Sequence, residues 1–280
     1  MPPLLSIVGP TSSGKTGLSI NLAREFKKHG IIAEIVSADS RQVYRRLDLL
    51  SGKVTVREMR GIPHHLLDVA DPKRTYSVAR FKKDAERAIA GIHKRGHLPI
   101  LVGGTGFYVD AVTKGIILPE VPANPSLRKE LEPQSLEQLF RTLKKLDSAR
   151  AKTIDSKNKV RLIRAIEIAT ALGSVPQVTT KPKYDVITIS IDLPNEELKK
   201  KIHTRLFARI RSGMIAEAKR LHTSGVSYKR MEELGLESRY IAWYLQKNPQ
   251  AGGTKEEMLK ELETAIWHYA KRQRTWFKKQ

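Results

Sequence analysis

Gly9-Pro10-Thr11-Ser12-Ser13-Gly14-Lys15-Thr16 fits the pattern GxxxxGK[ST], with the apolar run Leu4 to Val8 before it and a helical-looking segment from Gly17 after it. A buried strand that enters a glycine-containing turn and then a helix aims several backbone N–H groups at one anion. Lys15 adds a mobile charge, and Thr16 adds a hydroxyl able to ligate Mg2+. The chemistry is phosphate binding, and the pattern is silent about which phosphate compound.

Three further groups could act beside it. Asp39 follows the apolar run Ile31 to Val36 in Ser37-Ala38-Asp39-Ser40. It could stand behind a bound Mg2+, or it could be a general base at the mouth of the site. Gly103-Gly104-Thr105-Gly106 follows Leu98 to Val102. It could simply turn a strand into a helix, or it could offer flexible backbone and a hydroxyl to a ligand or leaving group. Arg205 and Arg209 share one helix face, either solvated or reaching back to neutralise a leaving phosphate. His64 and His65 are adjacent and lack a partner at metal-ligand spacing, which favours a core or turn role.

These residues need elements to position them. Gly17 to Lys28 and Val78 to Lys94 carry apolar residues at three- and four-residue spacing, so the order reads β-α-β-x-α-β-α and predicts a right-handed parallel sheet. Ligands of such sheets collect beyond the carboxyl ends of the strands, where Gly9 to Thr16, Asp39 and Gly103 to Gly106 converge. After Leu118 come Pro119, Pro122, Pro125 and Pro133 and a charged helical stretch from about Leu136 to Leu172. Tyr184 to Ile191 returns to strand character before a run of helices. The expectation is an α/β protein, a P-loop NTPase-like parallel sheet flanked by helices with an inserted all-helical domain. Residues 1–118 form the first part of the core, 119–183 the insertion and 184–280 the completion. In the last helix Met258, Leu262, Ala265, Ile266, Tyr269, Gln273, Trp276 and Phe277 form an apolar stripe expected in the core. Lys271, Arg272, Arg274, Lys278 and Lys279 lie off it, either solvated or placed for phosphates.

Fifty-one Lys and Arg against 29 Asp and Glu give a net charge of +22 over 280 residues, which points to nucleic acid or an anionic membrane. No run approaches the ~18 apolar residues needed to span a bilayer, and the start lacks a basic segment ahead of the first strand. A cytoplasmic protein with no membrane partner is expected. With no cysteine, disulfides, thiolate catalysis and cysteine-ligated zinc are excluded.

Taken together, Gly9 to Thr16, Ser37-Ala38-Asp39-Ser40-Arg41-Gln42-Val43-Tyr44, Pro63-His64-His65-Leu66-Leu67-Asp68 and Val102-Gly103-Gly104-Thr105-Gly106-Phe107-Tyr108 resemble the tRNA dimethylallyltransferase family. Arg161-Leu162-Ile163-Arg164-Ala165-Ile166-Glu167, Gly213-Met214-Ile215-Ala216-Glu217-Ala218 and Ala270-Lys271-Arg272-Gln273-Arg274-Thr275-Trp276 extend the likeness over nearly the whole chain. The resemblance implies transfer of a dimethylallyl group from dimethylallyl diphosphate to N6 of adenine 37, beside the anticodon of tRNA. It implies that Gly9, Thr11, Ser12, Ser13, Gly14, Lys15 and Thr16 hold a diphosphate, with Mg2+ on Thr16. Asp39 would engage the amine, Thr105 would lie near amine and diphosphate, and Arg205 would clamp the diphosphate. Ser40, Gln42, Arg161, Arg164, Lys271, Arg272 and Gln273 would contact the anticodon stem-loop. A monomer of bacterial type is expected.

The chain departs from the family pattern at three places. Ser51-Gly52-Lys53-Val54 stands where many members read Thr-Ala-Lys-Pro, and Gly235-Leu236-Glu237 where Gly-Tyr-Arg or Gly-Tyr-Lys is usual. Asn158 replaces a frequent Asp. Two other readings stay open, a transferase acting on free adenine nucleotides and a nucleoside-triphosphate-controlled RNA-binding protein.

Overall fold

Leu4, Leu5, Ile7 and Val8 are all buried, as a strand covered on both faces requires. This strand, β1 (Pro3–Val8), lies in a five-stranded sheet with β2 (Ala33–Ser37), β3 (His64–His65), β4 (Leu98–Gly103) and β5 (Asp185–Ser190). The order is β3-β2-β4-β1-β5, and every pairing is parallel. The computed structural model describes residues 1–279; Gln280, the last residue of the expected final segment, lies outside them.

Side-chain alternation divides the core. Leu5, Ile7, Ile35, Ile100 and Val102 face α1 (Lys15–Lys28) with Ile20 and Ala23. Leu4, Val8, Val36 and Leu101 belong to the larger cluster on the other face, with Phe81, Ile89 and Ile92 of α3 (Val78–Lys94). The short α2 (Val56–Met59) lies before α3, and α4 (Gly106–Thr113) leaves β4. Helices α5 (Pro125–Leu131), α6 (Leu136–Leu146), α7 (Ser148–Thr153) and α8 (Lys159–Leu172) come next. After β5 come α9 (Asn195–Arg211), α10 (Met214–Thr223), α11 (Tyr228–Glu233), α12 (Leu236–Leu245) and α13 (Lys255–Phe277).

Two compact units result, residues 1–115 with 182–280, and residues 116–181. The second has its own core of Leu131, Leu139, Leu143, Leu162, Ile163 and Ile166. Its buried Glu167 accepts from Arg128 Nε at 2.7 Å, Arg128 Nη2 at 2.8 Å and Asn124 N–H at 2.8 Å. Asn158 caps α8 by accepting from the Arg161 N–H at 3.1 Å, so Asn does here what Asp would do.

Strand β2 begins at Ala33 rather than Ile31; Ile31 and Ile32 are exposed, following the left-handed turn at Gly30 (φ 77°). Strand β3, too short for any periodicity, is held by a charge cluster. Glu34 of β2 lies 2.6 Å from His65 Nε2 and 2.6 Å from His97 Nδ1, and accepts from Arg95 at 2.8 and 2.9 Å. Burial opposes ionisation of Glu34, but the bonds from Arg95, His65 and His97 outweigh it and hold its pKa down at about 2.

Two measurements follow. In urea denaturation, Asn158→Asp should leave stability within about 0.5 kcal/mol of the parent, and Asn158→Ala should cost about 1 kcal/mol. The Glu34 carboxyl, held below its unfolded value of 4.5, contributes stability that is complete above that pH and lost as pH falls from 4.5 towards about 2. Glu34→Gln should lower stability at neutral pH and flatten the acid limb across that window.

Candidate active site

The turn between β1 and α1 is shaped by residues in left-handed conformation. Gly9 (φ 146°), Ser12 (φ 62°) and Gly14 (φ 97°) bend the chain, and a Cβ on Gly9 would stand 2.5 Å from the Ile191 carbonyl oxygen. Gly14 caps α1, so the helix begins at Lys15, two residues earlier than its apolar pattern predicts. Lys15 Nζ donates to the Pro10 carbonyl at 2.6 Å. Burial pushes its ammonium down to about 7, with Asp39 opposing the fall and Arg205 adding to it. Ser13 Oγ is buried without a hydrogen-bond partner. Lys15 and Thr16 line one cleft with Ser37, Asp39, Gln42, His64, Gly103 and Gly104.

Asp39 sits just past β2 in a side-chain-stabilised turn. Its Oδ1 accepts from the Arg41 N–H at 2.8 Å and the Gln42 N–H at 3.4 Å, whereas Oδ2 meets Gln42 Nε2 at 3.3 Å. One carboxylate oxygen is thus fixed by backbone, and the other keeps acceptor capacity. Thr105 caps α4 and accepts from the Ser40 N–H at 3.1 Å, which ties the two loops together. Tyr269 is hydrogen-bonded to Thr105, and burial and the Asp39 charge push its phenol up to about 12.

Glycine is required between these loops by what surrounds it. A Cβ on Gly103 would run into the Ala38 carbonyl, and one on Gly104 into Gln273 Nε2. Gln273 is the stitch: its Oε1 accepts from the Thr11 N–H at 2.8 Å, and its Nε2 donates to the Gly104 carbonyl at 2.7 Å. The resemblance gives Gln273 an RNA contact; in the structure it joins these two loops. The side chain is 6% exposed and both ends of its amide bind the two loops.

Arg205 and Arg209 do reach back from α9. Arg205 Nη2 donates to the Gly52 carbonyl at 2.8 Å, and Arg209 Nη1 to the Leu49 carbonyl at 2.9 Å. Burial lowers the Arg205 pKa, Arg209 lowers it further, and Glu237 and Asp39 oppose the fall. The loop below them is pinned by Glu217, which accepts from the Leu49 and Leu50 N–H groups at 2.9 and 2.8 Å.

Ser40 and Gln42 flank Asp39, as its turn dictates. In the helical unit Arg161 is exposed, 3.7 Å from Asp155, while Arg164 is spent on Glu167 and the Val121 carbonyl at 3.3 and 2.8 Å. The structure thus gives Arg164 a tethering job inside its own unit. Lys271 and Arg272 are exposed on α13. Arg274 instead donates to Asp192 at 3.1 Å, and Trp276 is 37% exposed despite its place on the apolar stripe. Sequence reasoning gave no site role to Glu217 or Glu237. The departure from the family pattern at Glu237 was the one available signal.

The family model for IPP transferase matches residues 42–280. A relative called tRNA dimethylallyltransferase 2 from Shewanella sediminis is 41% identical over 277 residues, 99% of this chain and 89% of the relative. The structure of the full-length tRNA isopentenylpyrophosphate transferase from Bacillus halodurans is 36% identical, with a TM-score of 0.73 over 100% of this chain and 88% of that one. A eukaryotic dimethylallyltransferase acting on tRNA, 24% identical with a TM-score of 0.79 over 99% of this chain and 70% of that one, shares the fold.

An anion entering the cleft favours the charged form of Lys15. A fully ionised organic diphosphate should therefore bind at pH 8 with uptake of a proton, because the free lysine titrates near 7. Calorimetry in buffers of differing ionisation enthalpy should report that proton, and Lys15→Met should abolish it.

Proposed function

The chain belongs to the IPP transferase family, and we propose that it transfers the dimethylallyl group of dimethylallyl diphosphate to N6 of adenine 37 in tRNA, releasing diphosphate. The carrying observation is an oriented carboxylate, Asp39, with one oxygen short of partners, in the same cleft as a phosphate loop.

An exocyclic adenine amine is a weak nucleophile because its lone pair is delocalised into the ring. Asp39 Oδ2 would accept the amine hydrogen and align the lone pair on the allylic carbon. As the new C–N bond forms, the C–O bond to diphosphate breaks and its electron pair stays on the leaving oxygen. The amine proton passes to Asp39. Loop N–H groups, Lys15 and Arg205 would stabilise the charge on the departing diphosphate. Thr105, fixed between Ser40 and Tyr269, would stand near both reactants.

No group of three His, Cys, Asp or Glu is placed to hold a metal among the described residues. The donor set fits a Mg2+ that arrives with the diphosphate, held by Thr16, phosphate oxygens and water. Such an ion would neutralise leaving-group charge. The +22 charge suits a polyanionic acceptor, and a base in a single-stranded loop leaves its stack at least cost. No described helix is long and apolar enough to cross a membrane.

Incubation with tRNA and dimethylallyl diphosphate should add one dimethylallyl mass to the tRNA at adenine 37, with AMP failing to compete. Asp39→Asn should lower kcat roughly 100- to 10,000-fold while leaving the donor KM within a few fold. No mass gain on any tRNA bearing adenine 37 with the parent enzyme would sink this reading.

A further inference from the structure

Two departures from the family pattern, far apart in sequence, meet at one place. A Cβ on Gly52 would come within 2.5 Å of Arg205 Nη2 and 3.1 Å of Arg209 Nη1, so both guanidinium groups lie against this glycine. Glu237, in the first turn of α12, receives Arg209 Nη2 on its Oε1 at 2.7 Å. The Arg209 and Glu237 side chains are 12% and 19% exposed. An ion pair this enclosed is little screened by solvent, and its charges act on whatever binds next to it.

Burial and then the Arg209 charge disfavour the charged form of Arg205, and Glu237 acts on Arg205 in the opposite sense. Arg209 is held by the Leu49 carbonyl and Glu237, while its Nε is buried and unpaired. A carboxylate therefore already sits on the guanidinium that neighbours the Arg205 clamp.

We propose that Glu237 is a resident counter-anion for Arg209, so that the arginine pair presents one net positive charge, not two, to a bound diphosphate and releases the product more readily. This rests on the diphosphate reading of the cleft. Competitive inhibition of the parent enzyme by inorganic diphosphate against the prenyl donor tests that reading separately.

The inference is tested by a charge series at positions 209 and 237. Relative to the parent, Glu237→Gln adds one positive charge, Arg209→Gln removes one, and the double variant restores the balance. One charge at about 10 Å in an effective dielectric near 20 corresponds to an affinity change of about tenfold. The inhibition constant for inorganic diphosphate should fall about tenfold in Glu237→Gln, rise about tenfold in Arg209→Gln, and return to within about threefold of the parent in the double variant. Glu237→Asp should stay near the parent, and the tRNA KM should stay constant across the series. Thermal melting checks that each variant is folded, and if Arg209→Gln does not fold, the Glu237→Gln and double variants decide. Weaker diphosphate binding in Glu237→Gln would overturn the proposal, since Glu237 would then merely orient Arg209. A change confined to the tRNA KM would overturn it as well, by assigning the pair to RNA.

Discussion

An ammonium group buried beside a carbonyl oxygen needs an anion, and Lys15 is in that position. Nearly everything near the cleft follows from accommodating that cation. The turn that carries it is bent by Gly9, Ser12 and Gly14, with N–H groups and a buried Ser13 hydroxyl that want an acceptor. Arg205 adds a second buried cation, which lowers the charge preference of Lys15 further. Asp39 acts against both shifts, so a built-in carboxylate offsets part of the cost of burying these cations. The net charge of +22 is that of the whole chain; in the cleft the cations Lys15 and Arg205 stand against Asp39.

The C-terminal helix is what keeps this arrangement together. Gln273 joins the phosphate loop to the Gly104 loop, and Trp276 occupies the space where a Cβ on Gly106 would lie while donating to Asp110 at 3.2 Å. Tyr269 reaches Thr105 from the same helix. Three side chains spaced along one helix thus act on two of the loops, Gly9 to Thr16 and Gly103 to Gly106, and the third is tied in through the Ser40 N–H bonded to Thr105. A helix anchored by Met258, Leu262, Ile266, Ala270 and Phe277 in the core makes a rigid support for such contacts.

The sheet, its parallel sense and the convergence of three loops were legible because strongly apolar runs end in residues with turn or phosphate chemistry. Asp39 and Thr105 stood out for the same reason, and the structure joins their loops through Ser40. Strand β3 was not legible: two histidines have no period, and Glu34, which holds His65, lies 31 residues away. Gln273 was legible only as a member of the core stripe of the last helix; that its amide serves backbone groups of two separate loops was not. Long-range polar pairs of this kind leave no local pattern.

The sheet order bears on why a phosphate loop would serve carbon transfer here. Strand β4 lies between β1, which feeds the loop, and β2, which feeds Asp39. Two strand spacings make roughly 10 Å. Over that interval β4 ends in Gly103, flush against Ala38, and Gly104 follows it near the Gly9 carbonyl with the Gln273 amide against it, so the two glycines themselves put no side chain between the loops. A carboxylate beside the loop would crowd an incoming group and serve a metal or a water at the terminal phosphate. One two strands away leaves a smooth floor between the anion seat and the proton acceptor. In the proposed reaction the diphosphate occupies one end of that floor, the amine the other, and the short allylic chain lies between them. The spacing that makes Asp39 remote from the phosphate seat is the spacing an alkyl transfer needs.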